Sequence, residues 1–112
     1  MLSSIIICTA LLAPHHVPKT YKTRHKTCVE VAEAAKQAGL DPITLVSVGW
    51  VESGMLPKEV SRRGAVGPLQ VLPKYFCPNG RLRGCDTVAA GIEAFKNWQK
   101  HFPKCPFRNS GV

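Results

Sequence analysis

Apolar residues recur every three or four positions in three segments of the chain, and this spacing predicts three helices. The first stripe comprises Cys28, Val31, Ala32, Ala35 and Ala38. Residues 43–51 are apolar nearly all round, which is typical of a helix that other elements surround. The third stripe comprises Val88, Ile92, Phe95, Trp98 and Phe102. The pattern predicts a small all-α domain.

Residues 14–26 lack this periodicity and are rich in proline and cations, which predicts a basic linker or mobile arm. The first helix is predicted to begin at Thr27, because Thr27 and Glu30 have the spacing of a capping box. Gly39 is predicted to end this helix.

Capping residues also define the other two predicted helices. Asp41 and Pro42 are typical of an N-cap and a first helical position, and Gly54 is a natural stop. Asp86 is predicted to cap the third helix, which Pro103 would close.

A long segment rich in Gly and Pro, residues 55–84, separates the second and third predicted helices. Only "AVGPLQVLP", at residues 65–73, is suited to a short extended or helical piece. Long ordered loops in compact domains usually carry function, so we expect functional residues here.

The first thirteen residues, "MLSSIIICTALLA", form an apolar run that is shorter than the ~20 residues needed to cross a bilayer. Such a run is suited to a secretory signal, with Ala10 and Ala13 as candidate cleavage points. The alternative is a buried N-terminal strand. With a secretory signal, the chain divides into a signal peptide at 1–13, a basic linker or arm at 14–26 and one domain at 27–112. The protein would then be exported to the periplasm, cell envelope or exterior.

Removal of the signal would also remove Cys8 and leave an even set of four cysteines, which is typical of disulfides in an exported chain. Cys77 and Cys85 bracket a turn-rich segment and are expected to pair with each other. Cys28 and Cys105 are then candidates for a second bridge, whereas in the cytosol all four would be reduced thiols. No C-x-x-C spacing is present, so we expect neither a metal site nor a cofactor.

Fifteen Lys and Arg against seven acidic residues make the chain strongly basic, which favours an anionic partner such as nucleic acid, a membrane or a cell-wall polymer. A nucleic-acid binder ranks low, because the chain lacks interleaved aromatics and a recognisable binding motif. We expect a monomer without a stable membrane span.

Six of the seven carboxylates have an ordinary structural explanation as helix caps, first-turn acids or solvated pairs. Glu52 does not. It lies at the C-terminal end of its predicted helix, where the helix dipole disfavours negative charge. Leu45, Val48 and Gly49 on the same face give it little polar company. Both effects favour the protonated carboxyl that a general acid needs.

The residues around Glu52 resemble the signature of the lytic transglycosylase (SLT) family of the lysozyme superfamily. In that signature E-S-G is followed by S-x-x-G-A-x-G-L-M-Q and a proline. The matching residues are Glu52, Ser53, Gly54, Ser61, Gly64, Ala65, Gly67, Leu69, Gln70 and Pro73. The resemblance covers about residues 28–111 and implies a small lysozyme-like helical domain.

The resemblance implies cleavage of the β-1,4 bond between N-acetylmuramic acid and N-acetylglucosamine in peptidoglycan strands, with Glu52 as the single acid and base and a 1,6-anhydro product. The residues expected to form or support the sugar site are Ser53, Ser61, Gly64, Ala65, Gln70, Tyr75 and Asn109. Trp98 is assigned to the core.

The family's Y-N-x-G motif is replaced near the end of the chain by "RNSG", in which Arg108 stands at the tyrosine position. A cation there would favour the ionised form of Glu52 and oppose acid catalysis. Two alternatives therefore accompany the enzyme interpretation: a peptidoglycan-binding module with impaired turnover, and a lysozyme-type hydrolase.

Overall fold

A computed structural model of the chain describes residues 2–15 and 17–102. The helices of this part are α1 (Ser4–Leu12), α2 (Tyr21–Gln37), α3 (Pro42–Ser53), α4 (Pro73–Phe76) and α5 (Thr87–His101), with 3-10 turns at Ala13–His15 and Pro78–Gly80. These described residues include no strand, and the predicted all-α fold is confirmed. None of the described helices has both the length and the apolar composition needed to span a membrane.

The caps of α3 and α5 are those that the sequence predicts. Asp41 accepts a hydrogen bond from the Ile43 amide at 3.0 Å, and Gly54 ends α3 with a φ of 64°, in the left-handed region. Asp86 Oδ1 accepts from the amides of Val88 and Ala89 at 3.1 and 3.0 Å.

The predicted start of the first long helix is wrong, because α2 begins at Tyr21 rather than at Thr27. Thr27 is a buried residue inside the helix and does not cap it. The extra turns escaped the periodicity argument because their side chains are largely polar and exposed, as at Lys22 and Thr23. Residues 21–26 of the predicted linker are therefore part of a helix.

α1 packs antiparallel to α2. Cys8 is joined to Cys28 by a disulfide with a Cα–Cα distance of 5.8 Å, Ser4 Oγ donates to the Glu33 carboxylate, and Ile7 is buried in the main core. The expected pairing of Cys28 with Cys105 is wrong, because α1 brings Cys8 within bonding distance. Cys105 lies outside the described residues. The N-terminal segment is also helical, not a strand.

Polar contacts hold the outer edge of the α1–α2 pair. Lys36 Nζ lies 3.4 Å from the Glu33 carboxylate and donates to the Leu2 carbonyl at 3.1 Å. The hydrogen bond from Ser4, with a further contribution from Lys36, holds the pKa of Glu33 below its ordinary value. The Glu33 carboxylate thus stays ionised and keeps both partners at neutral pH.

Two groups of buried residues hold the helices together. The main core lies between α1, α2 and α3 and includes Val31, Leu45 and Met55. A second group lies under the loop, between Val66, Val71, Cys77 and Ala90. Cys77 and Cys85 are bonded to each other with a Cα–Cα distance of 5.4 Å, which confirms that predicted pairing.

We predict that the double variant Cys8→Ala/Cys28→Ala loses about 3 kcal/mol of unfolding free energy, because the bridge closes a loop of roughly twenty residues in the unfolded chain. Denaturant unfolding under oxidising conditions measures the loss. The control is Cys77→Ala/Cys85→Ala, whose eight-residue separation predicts a smaller loss. An unchanged unfolding midpoint in the first variant would show that α1 is not anchored through Cys28.

Candidate active site

A cleft of about 320 Å³ lies between α3, α5 and the intervening loop. One helical stripe of α3 forms the first wall, and a stripe of α5 with the same spacing forms the second. The described residues that line the cleft are Leu45, Val48 and Glu52 from α3, Leu69, Gln70 and Val71 from the loop, and Gly91, Ala94, Phe95 and Trp98 from α5.

Glu52 lies in the last turn of α3, at the mouth of this cleft. Its side chain is exposed, so water reaches the carboxyl for which the sequence predicts few polar neighbours. The apolar neighbours predicted from helical spacing are present, because Leu45 and Val48 line the same cleft as Glu52. Among the described residues, no second Asp or Glu lines it. The cleft is therefore an apolar groove with one carboxylate at its edge.

Ser53 points away from the cleft. Its buried hydroxyl lies 2.7 Å from the carbonyl oxygen of Pro68 and 3.1 Å from that of Gly49, and it accepts a hydrogen bond from the Met55 amide at 3.1 Å. These contacts join the end of α3 to the loop. Ser53 is therefore placed to support the site through the backbone rather than by touching a ligand in the cleft.

Gln70 has a fixed position on the loop side of the cleft. Its side-chain nitrogen donates to the carbonyl oxygens of Glu59 and Gly67, at 3.0 and 2.9 Å. Gly67 has a φ of 82°, and a Cβ there would lie 2.6 Å from Cβ of Thr87. Only glycine allows the loop to approach α5 this closely while adopting the left-handed conformation.

The remaining predicted site residues lie elsewhere. Ser61, Gly64 and Ala65 form a tight turn, in which Ser61 Oγ accepts from the Ala65 amide at 3.1 Å and the Gly64 amide donates to the Ser61 carbonyl at 3.0 Å. Tyr75 is exposed, with Lys74 Nζ 5.5 Å from its ring centroid. None of these four lines the described cleft. Asn109 lies outside the described residues.

Sequence reasoning missed the position of Trp98. Its assignment to the core followed from the apolar stripe of α5, but the residue is only half-buried and lines the cleft. The Phe95 ring lies beside it, with ring centroids 5.9 Å apart. The apolar stripe predicted a buried helix face. It did not distinguish residues that pack in the core from residues that line an open groove.

α3 is also supported by the segment that was predicted to be a linker, a contact that the sequence did not predict. Arg24 Nη1 donates to the Gly54 carbonyl at 2.7 Å, and its guanidinium carbon lies 5.8 Å from the ring centroid of Trp50. The His15 ring stacks on Trp50, with centroids 4.5 Å apart. Arg24 precedes Cys28 by four residues, so the signal was an extension of the first helical stripe toward the N-terminus.

We predict that Ser53→Ala lowers the free energy of unfolding by about 1–3 kcal/mol, because the Met55 amide and the Pro68 carbonyl lose a buried partner. Ser61→Ala is the matched control, since its hydroxyl is exposed and its loss is expected to cost about 0.5 kcal/mol or less. Denaturant unfolding compares the two. Equal losses would contradict the structural role of Ser53.

The chain was compared with known protein families, curated proteins and solved structures. No curated protein and no solved structure gives a significant match. A family model described as the transglycosylase SLT domain matches residues 30–106, a range that contains α3, the loop and α5 and therefore both walls of the cleft. Because the match covers more than half of the chain, the protein belongs to the transglycosylase SLT domain family.

Proposed function

We propose that the protein is a lytic transglycosylase that cleaves the β-1,4 bond between N-acetylmuramic acid and N-acetylglucosamine. Its SLT domain supports peptidoglycan as the substrate and lyase-type cleavage of a glycosidic bond as the reaction. The observation that carries the proposal is the position of Glu52, the one carboxylate among the described residues that lines the cleft.

In the proposed reaction Glu52 acts first as acid and then as base. Its protonated carboxyl gives a proton to the oxygen that leaves with N-acetylglucosamine, and the bond from this oxygen to C1 of the muramoyl ring breaks. The resulting carboxylate then takes the proton of the muramoyl C6 hydroxyl, whose oxygen bonds to C1. The product is a 1,6-anhydro ring, and Glu52 regains its proton.

The single carboxylate favours this internal nucleophile over attack by water. Most glycosidases that use water place two carboxylates on either side of the scissile bond. Asp86, the remaining candidate from the sequence, has Oδ1 occupied by two amides at the start of α5, and it does not line the cleft. The C6 hydroxyl removes the need for a second carboxylate.

The site of action is proposed to be outside the cytoplasm. SLT domains act on peptidoglycan, which lies there, and the two disulfides are consistent with an oxidising compartment. We propose that the apolar run at residues 1–13 is an export signal that stays attached, because its Cys8 is bonded to Cys28 of the domain. We also propose that the protein acts as a monomer and does not bind nucleic acid.

A second candidate is a peptidoglycan-binding module with impaired turnover. Two observations favour it: Glu52 is exposed to water, and Arg108 occupies the position of the family's tyrosine. Arg108 lies outside the described residues. A lysozyme-type hydrolase is a third candidate, and it differs in its product, which would carry a reducing-end muramic acid.

We predict that Glu52→Gln lowers the rate of muropeptide release from purified sacculi by at least about a hundredfold, because the amide cannot donate or accept the required proton. Mass spectrometry of the released products identifies anhydro-muropeptides in the wild-type reaction. Glu93→Gln is the matched control: Glu93 is an exposed carboxylate on α5 that does not line the cleft, so activity should be unchanged.

The same experiment separates the candidates. Release of anhydro products by the wild type and not by Glu52→Gln supports the enzyme proposal. Products with a reducing-end muramic acid indicate the hydrolase. Binding to sacculi without any release indicates the binding module, and undiminished release by Glu52→Gln excludes Glu52 as the acid.

We predict that Trp98→Ala, made in the Glu52→Gln background, weakens binding to sacculi by roughly threefold to tenfold, because the sugar loses an aromatic surface in the cleft. Pelleting with purified sacculi measures binding apart from turnover. Tyr75→Ala, at the other aromatic residue that the sequence suggests, should have the smaller effect, since Tyr75 does not line the cleft. The reverse order would place the sugar on the loop instead.

A further inference from the structure

The solvent-facing side of α1 carries large apolar side chains beside the exposed Thr9. Leu2, Ile5 and Ile6 are 55%, 61% and 56% exposed, although the opposite side of the helix buries Ile7 and Leu12. A shallow groove continues this surface from Leu2 to Ile43, at the start of α3; its lining is mostly apolar but includes Lys36 and the N-cap Asp41. We call Leu2, Ile5, Ile6 and Ile43 the α1 face. Adjacent exposed apolar side chains of this kind mark a surface that binds a protein, a membrane or a ligand.

Lysines flank the α1 face along α2. Lys22 and Lys26 precede Glu33 by eleven and seven residues, so all three project from the same side of α2. Glu33 contacts Ser4 of α1, which places this side of α2 against α1. Both lysines are exposed, and Lys36 lies at the other end of α1, against the Leu2 carbonyl. The acids on α2 are Glu30 and Glu33, and Glu33 is paired with Lys36.

We propose that the α1 face binds the surface of an anionic phospholipid membrane, with α1 lying in the plane of the interface. A helix of nine residues is far shorter than the ~20 residues needed to span, but its apolar side can enter the boundary between headgroups and acyl chains. Lipid headgroups of negative charge complement the flanking lysines and the net charge of +8.

Charge also argues against a second copy of the chain as the occupant. A symmetric dimer through the α1 face would bring Lys22 and Lys26 of one protomer toward the same lysines of the other, and like charges repel. A membrane satisfies both the apolar and the basic parts of the surface. Because the Cys8–Cys28 disulfide and the buried Ile7 fix α1 to the domain, membrane binding would hold the entire domain at the lipid surface.

The test uses the full 112-residue chain with both disulfides formed and vesicles of phosphatidylglycerol and phosphatidylcholine. We expect co-sedimentation with these vesicles and little with phosphatidylcholine alone. Ile5→Ser/Ile6→Ser should weaken binding at least roughly tenfold, since two apolar side chains are lost from the buried surface. Val60→Ser/Leu82→Ser is the matched control, because those residues are also exposed, at 60% and 47%, and lie outside the α1 face.

Lys22→Gln/Lys26→Gln should weaken binding severalfold, and added salt should weaken it further. Circular dichroism confirms that each variant is folded. The readout does not involve catalysis, so its failure is distinct from failure of the proposed reaction.

Four results would overturn the proposal. One is binding that persists in Ile5→Ser/Ile6→Ser and disappears with salt, which indicates adsorption by charge alone. Another is concentration-dependent self-association that this variant abolishes, without vesicle binding, which makes a second copy the occupant. The third is the absence of vesicle binding by the wild type. The last is a mature exported protein whose mass lacks residues 1–13.

Discussion

The hydrogen bond between the Ser53 hydroxyl and the Pro68 carbonyl fixes the end of α3 to the loop that faces it. Because Glu52 immediately precedes Ser53, the same bond determines where the carboxylate stands relative to the loop side of the cleft. Arg24 holds the other side of this junction through the Gly54 carbonyl. Glu52 thus directly precedes two anchored residues, Ser53 and Gly54, although its own side chain is exposed. The position of the proposed acid is set by these two anchored residues rather than by contacts of the carboxylate itself.

The cleft exists because small residues let its walls approach. A Cβ at Gly91 would lie 2.6 Å from Cβ of Leu69, and one at Gly49 would lie 2.7 Å from Cε of Met55. These two glycines let Leu69 of the loop pack directly on α5 and Met55 pack directly on α3. The same close packing leaves the outer ends of the stripes, at Glu52 and Trp98, to border open space. Packing and site are therefore consequences of one arrangement of large and small side chains.

The sequence predicted the parts of the fold whose signals are local. Asp41 and Asp86 cap their helices through side chains that bond amides two or three residues away, and Cys77 pairs with a cysteine eight residues on. Features that depend on contacts between distant parts of the chain were harder to predict. The start of α2 was hidden because its first turns are polar, and the partner of Cys28 depended on α1 packing against α2. The inward orientation of Ser53 and the cleft position of Trp98 likewise depend on where the loop crosses, which neighbouring residues in the chain do not encode.

Whether the bond between Cys8 and Cys28 forms depends on the redox state of the compartment that holds the protein. In a reducing cytosol both thiols remain separate, and the N-terminal helix is held only by packing and a few polar contacts. In an oxidising compartment the bond forms and joins α1 to α2. The N-terminal helix is thus fixed covalently to the rest of the domain only where the surroundings oxidise thiols.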